Sequence, residues 1–163
     1  MSHVYDPSPI SSCARATTAE ELAYRIDYPL AAARNVRVVA LDDAAEAIVR
    51  VTRDEGGWGQ ARFFVAADPG HEVQELDGGV MSVAELVHDT NSVVMVATAG
   101  ENAEAVAMIG AGCQVHSVMT AGLVMTPGQI ATEALLYLRP YARVLLVPAE
   151  PDDLPELLRA IRA

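Results

Sequence analysis

The chain has 163 residues, enough for one domain with a single sizeable core and too few for a comfortable second one. Its 22 acidic against 11 basic residues, a net charge of -11, exclude a broad nucleic-acid interface, which needs clustered positive charge to release counterions from phosphates. All 11 basic residues are Arg, and the lack of Lys excludes Schiff-base chemistry, pyridoxal phosphate attachment and the phosphate-loop motif GxxxxGK[ST].

Along the chain, MSHVYDPSPISSCARATT lacks the basic start and apolar centre of a secretory signal. The apolar runs VVMVATA, ARFFVAA and RVLLVPA fall short of the roughly 20 residues that span a bilayer, so the expectation is a cytoplasmic protein without a membrane segment. Residues 1–16, rich in Ser and Pro, read as an N-terminal arm, and residues 17–163 as a single α/β domain. A first helix is expected from Thr18, where TTAEEL offers a cap and early acidic residues, with Pro29 limiting or kinking it. Cys13 and Cys113 stand in unlike contexts, which argues against a structural disulfide.

The next segment admits two readings. Val36 to Leu41 forms a strand with Asp42 capping a helix, or Val36, Val39, Ala40, Ala47, Ile48 and Val51 share one helical face; strand then helix is preferred. Gly56, Gly57 and Gly59 around Trp58 end the helix, and Trp58 either anchors another subunit or folds back over the sheet edge. ARFFVAAD is a strand stopped by Asp68-Pro69-Gly70. SVAELVHD is a short helix with a capping box of Ser82 and Glu85. Strands follow at SVVMVAT and HSVMTAG, separated by a helix whose Gly110-Ala111-Gly112 reads as its C-terminus and the turn into the strand at His116. A helix at GQIATEALLYL, a strand at RVLLVPA and an amphipathic helix with Leu154, Leu157, Leu158 and Ile161 on one face close the chain. Buried strands alternating with amphipathic helices predict a three-layer, Rossmann-like α/β fold, with helices on both faces of a mostly parallel central sheet.

In such folds ligands gather beyond the carboxyl ends of the strands. The turns expected there are Asp42-Asp43, Asp68 to His71, Thr98 to Asn102, Thr120 to Gly122 and Pro148 to Glu150. The turn Thr98-Ala99-Gly100-Glu101-Asn102 has a hydroxyl, a glycine allowing close approach and N–H groups opening a helix, the parts of a site for a small anion. The same residues suit a plain helix start, with Thr98 or Asn102 capping and Glu101 favouring the dipole.

The run SVVMVATAGENAEAVAMIGAGCQVHSVMTAG is similar to the core of sugar isomerase (SIS) phosphosugar-binding domains, where a strand ends in a Ser-Gly-Glu-Thr type turn and the next strand ends in Thr-Asn. The resemblance covers about residues 92–122 and implies that Thr98, Ala99, Gly100, Glu101 and Asn102 hold a phosphate, with Thr120 and Gly122 completing the ligand site. The chain departs from that pattern: Ala99 stands where the family has serine, the intervening helix is about one turn shorter, and AADPG replaces a Gly-x-Gly-x-Ser loop.

Isomerisation of a sugar phosphate needs a base beside the substrate carbonyl. Glu101 and His71 are the first candidates, with His88 and His116 behind them. Each has a plain alternative, as helix-start acid, turn residue, helix end or strand start. Cys113 and His116 form a lone C-x-x-H that does not define a metal site, so neither metal nor cofactor is expected, and Cys113 reads as a small core residue. The leading expectation is a binding domain for a phosphosugar-like or other anionic metabolite, with isomerase activity open. The rival is a non-catalytic accessory or assembly subunit on the same scaffold, homo-oligomeric or docked on a partner.

Overall fold

The computed structural model describes residues 32–67, 69–125 and 132–163. The expectations for the arm, Cys13 and the helix from Thr18 lie outside the described residues, which belong to the unit Ala32–Ala163.

Strand β1 (Val36–Ala40) leads into helix α1 (Asp43–Glu55). Its side chains alternate: Val36, Val38 and Ala40 enter one core while Val39 and Leu41 enter another, the period of two that a helical face does not produce. Asp42 caps α1 by accepting the Ala45 N–H at 2.8 Å. The helix ends at Gly56, whose φ of 72° suits glycine. Strand β2 (Ala61–Ala67) follows as expected.

The hairpin of β3 (Glu72–Glu75) and β4 (Val80–Ser82) was not expected. It turns at Gly78 and Gly79, both at positive φ, and buries Val73 while Glu72 and Gln74 point to solvent. One apolar residue in four is too weak an alternation to read. Helix α2 (Val83–Val87) carries the predicted capping box, with Ser82 and Glu85 each accepting from the other's backbone.

The remaining elements are β5 (Ser92–Ala97), α3 (Ala103–Val115), β6 (Met119–Val124), α4 (Thr132–Leu138), β7 (Val144–Leu146) and α5 (Asp153–Ala160). Two boundaries correct the sequence reading. Gly110 and Gly112 lie inside α3 rather than at its end, and β6 starts and ends later than HSVMTAG suggests. The first part of GQIATEALLYL lies outside the described residues.

The sheet order is β4-β3-β2-β1-β5-β6-β7, with the five strands β2-β1-β5-β6-β7 parallel and the β3–β4 hairpin antiparallel at one edge. Taken without the hairpin, this is the doubly wound order of flavodoxin-type folds, so the expected fold class holds. One core holds residues of α2, α3 and α4 (Leu86, Ile109, Leu138) and the other residues of α1 and α5 (Val49, Leu154, Leu158), the three layers predicted. No helix among the described residues is long and apolar enough to cross a membrane.

Candidate functional site at the switch point

From β1 the chain crosses to β2 on one side and later to β5 on the other, so the carboxyl ends of β1 and β5 bound the crevice where open α/β sheets receive ligands. Asp42 follows β1 and Thr98 follows β5. The Asp42 carboxylate, 6% exposed, accepts the Thr98 N–H at 2.7 Å, the Thr98 hydroxyl at 2.6 Å, the Ala99 N–H at 3.1 Å and the Ala45 N–H at 2.8 Å. Burial acts to raise its pKa, but the Thr98 hydroxyl and the three N–H groups outweigh it and hold Asp42 below the usual carboxylate range. The donors predicted to grip a phosphate are thus turned onto an internal carboxylate.

The rest of the turn is also engaged. A Cβ on Gly100 would collide with the Cβ of Glu133 and lie 2.8 Å from its Oε2, so this glycine admits the start of α4. Asn102 sits at the N-cap of α3 in the left-handed conformation that asparagine tolerates. Its side chain makes no capping bond and instead donates to the Leu41 carbonyl at 2.6 Å, a second tie between the ends of β5 and β1. Glu101 is exposed.

His71 lies on the turn after β2, exposed, with Nε2 3.4 Å from Glu104 Oε1 at the start of α3. Gly70 beside it has φ of 93°, and a Cβ there would lie 2.8 Å from the Ala105 nitrogen, which sets this turn against the first turn of α3. His88 and His116 are at the opposite end of the sheet, on an open cavity of about 610 Å³ that Asn35, Asp89 and Asn91 also line. The four candidate bases therefore divide between two ends of the sheet.

Thr120 and Gly122 require correction. Both lie within β6, not after it. Thr120 is buried near the amino end of the strand, where its hydroxyl donates to the Tyr141 carbonyl at 2.5 Å and accepts the Arg143 N–H at 3.3 Å. A Cβ on Gly122 would lie 2.9 Å from Leu145 Cδ1 and 3.2 Å from Ala142 Cβ, so it serves packing against the β7 segment.

Cys113 is a buried free thiol pushed up to about 11 by burial, as a core cysteine should be. Trp58 folds back: its Nε1 donates to the Thr52 carbonyl at 2.7 Å, and Arg159 stacks 5.5 Å from its ring centroid. Among the described residues no three His, Cys, Asp or Glu side chains form a group able to hold a metal. The sequence reading missed the reach of Asp42 to β5. Its signal was the doublet Asp42-Asp43 closing one apolar strand while Thr98 closes another.

No family model matches the sequence, and no curated protein matches it significantly. Solved structures similar to it include a pilus assembly-related protein from Burkholderia pseudomallei, 19% identical over 79% of this chain and 89% of that one, with a TM-score of 0.44. They also include a CheY-like response regulator receiver domain protein from Methanospirillum hungatei, 16% identical over 78% of this chain and 92% of that one, with a TM-score of 0.43. No family model supports the SIS resemblance, and it is set aside. The turn that suggested it is bound to Asp42, and the threonine and glycine expected after the next strand lie inside it.

Proposed function

We propose that the chain is a non-catalytic interaction module, an accessory or assembly subunit that uses the α/β sheet as a scaffold. The observation that carries this reading is the Asp42 carboxylate, which takes the Thr98 and Ala99 N–H groups and the Thr98 hydroxyl. A phosphate or sugar carboxylate entering here would have to displace a buried, multiply hydrogen-bonded anion and would meet its negative charge. The candidate bases lend no support to isomerisation, since His71 is tied to solvent and Glu104 while His88 and His116 lie at the far end of the sheet.

The test is an amide-resolved NMR titration of the full chain with inorganic phosphate, sugar phosphates and nucleotides, beside an Asp42→Gly variant titrated with formate. Wild type is expected to show no saturable shift at Thr98–Asn102. The variant is expected to regain thermal stability as formate fills the vacated position. Saturable binding of a sugar phosphate to wild type at that turn would overturn the reading.

A further inference from the structure

The sheet ends at β7, the outer strand among the described residues on that side. Its face is apolar and open: Val144 is 45% and Leu146 36% exposed, with Met119 of β6 at 44% beside them. Leu136 and Tyr137 of α4, the helix just before β7, are exposed as well. Unpaired strand edges are normally shielded by charge, proline or a covering element, and an apolar one invites another strand.

Charge flanks this edge asymmetrically. The chain enters β7 past Arg139 and Arg143, both exposed, and leaves it past Glu150, Asp152 and Asp153. Among the described residues Arg143 makes no ion pair; its guanidinium rests 4.0 Å from the Met119 sulfur. A strand added parallel from a second copy would lay acidic exit on acidic exit. An antiparallel copy would lay each basic entry beside the other's acidic exit, twice over. With a net charge of -11 opposing indiscriminate self-association, such local complementarity is what would make one pairing specific.

We propose that β7 is a homodimer interface, in which two copies pair their β7 strands antiparallel about a twofold axis at Leu145 and continue the sheet from one protomer into the next. In this register Val144 faces the partner's Leu146 and Leu146 the partner's Val144, so the exposed pair covers itself. Arg143 comes opposite the partner's Val147 and Pro140 opposite the partner's Glu150, so the basic entry with Arg139 and Arg143 runs along the partner's acidic exit. Pro148 has no N–H to extend the ladder, which limits the pairing to the strand itself and leaves Met119 and the α4 side chains to widen the contact. The twofold makes the patch its own partner, as isologous interfaces require.

This inference rests on the reading of the chain as an interaction module, but its test is independent of the anion titration. Full-length protein is followed by sedimentation velocity over a concentration series at low and high salt. A dimer is expected, weakened by salt. Leu146→Asp should yield monomer, and Arg143→Glu or Glu150→Arg alone should each raise the dissociation constant roughly tenfold. The double variant Arg143→Glu/Glu150→Arg should restore it. Circular dichroism melts confirm that each variant is folded; the two charge variants alter exposed side chains and keep the test decisive if Leu146→Asp does not fold. A wild-type chain that stays monomeric, or a dimer indifferent to the charge swaps, would overturn the interface. Either result leaves the formate rescue of Asp42→Gly to be judged by itself.

Discussion

The Asp42 carboxylate accepts both the backbone N–H and the hydroxyl of Thr98, at 2.7 and 2.6 Å, across the boundary between β1 and β5. One side chain therefore performs two tasks. It caps α1 through Ala45, and it ties off the turn that opens towards α3.

Removing that carboxylate should be costly. Asp42→Ala deletes a helix cap, worth ~1 kcal/mol, and takes the charged acceptor from the half-buried donors of Thr98 and Ala99, worth ~1–3 kcal/mol more. The expected loss is about 3 kcal/mol by urea denaturation. Asp42→Asn keeps one acceptor oxygen and should lose about half as much. Asparagine caps as well as aspartate, so an Asp42→Asn variant as stable as wild type beside a destabilised Asp42→Ala would mean that the cap alone matters and the second oxygen's bonds to Thr98 and Ala99 contribute nothing.

The same residue predicts a pH dependence. The folded-state pKa of Asp42 is depressed, so its ionised form stabilises the fold fully above the unfolded value of about 3.9. That contribution disappears as the pH falls below this value and through the lower folded one. The stability difference between wild type and Asp42→Asn should be flat from neutral pH to about 5 and shrink in more acidic solution. Urea titrations of both proteins at several pH values read it directly; a difference that grows on acidification would contradict the assignment.

Much of the fold was legible because it is written in local patterns. The alternation of Val36, Val38 and Ala40 against Val39 and Leu41, and the Ser82–Glu85 capping box, need only neighbouring residues to be read. The site was legible only in part, since its meaning depends on distant partners. Asp42 is recognisable in sequence as a cap for α1, but its bonds to Thr98 span 56 positions. Gly100 is rightly suspected of allowing a close approach, yet what approaches is Glu133 on α4, the third element to follow. Thr120 and Gly122 look like a turn because Thr-Ala-Gly is turn-rich in composition. The parallel pairing of β6 with β5 and β7 overrides that local preference and keeps them in the sheet.

Gly110 offers a case where helix propensity and packing oppose each other. Alanine should favour an interior helical position by up to about 1 kcal/mol. Here, however, a Cβ would run into the Tyr141 ring and its Cβ, which are not free ends able to swing aside. Gly110→Ala is therefore expected to destabilise by ~1–3 kcal/mol, the usual range for overpacking. Adding Tyr141→Ala should recover part of that loss, so the double variant falls well short of the sum of the singles. Gly110→Ala equal to or more stable than wild type would show that the ring yields.

Cys113 makes burial measurable by chemistry. Its side chain is 0% exposed, and its thiol pKa of about 11 leaves only about one thiolate in a thousand at pH 8. In a Cys13→Ser background, where Cys113 is the sole thiol, the native chain should resist a thiol-reactive disulfide reagent for as long as it stays folded. Reaction should become rapid once denaturant unfolds the protein, because the free thiol then returns to about 8.5. The native reaction rate, measured across Asp42→Asn and Gly110→Ala, should rise in step with each variant's loss of stability, since labelling requires opening of the core. Immediate labelling of native wild type would place Cys113 at a surface and contradict its position between α3 and the sheet.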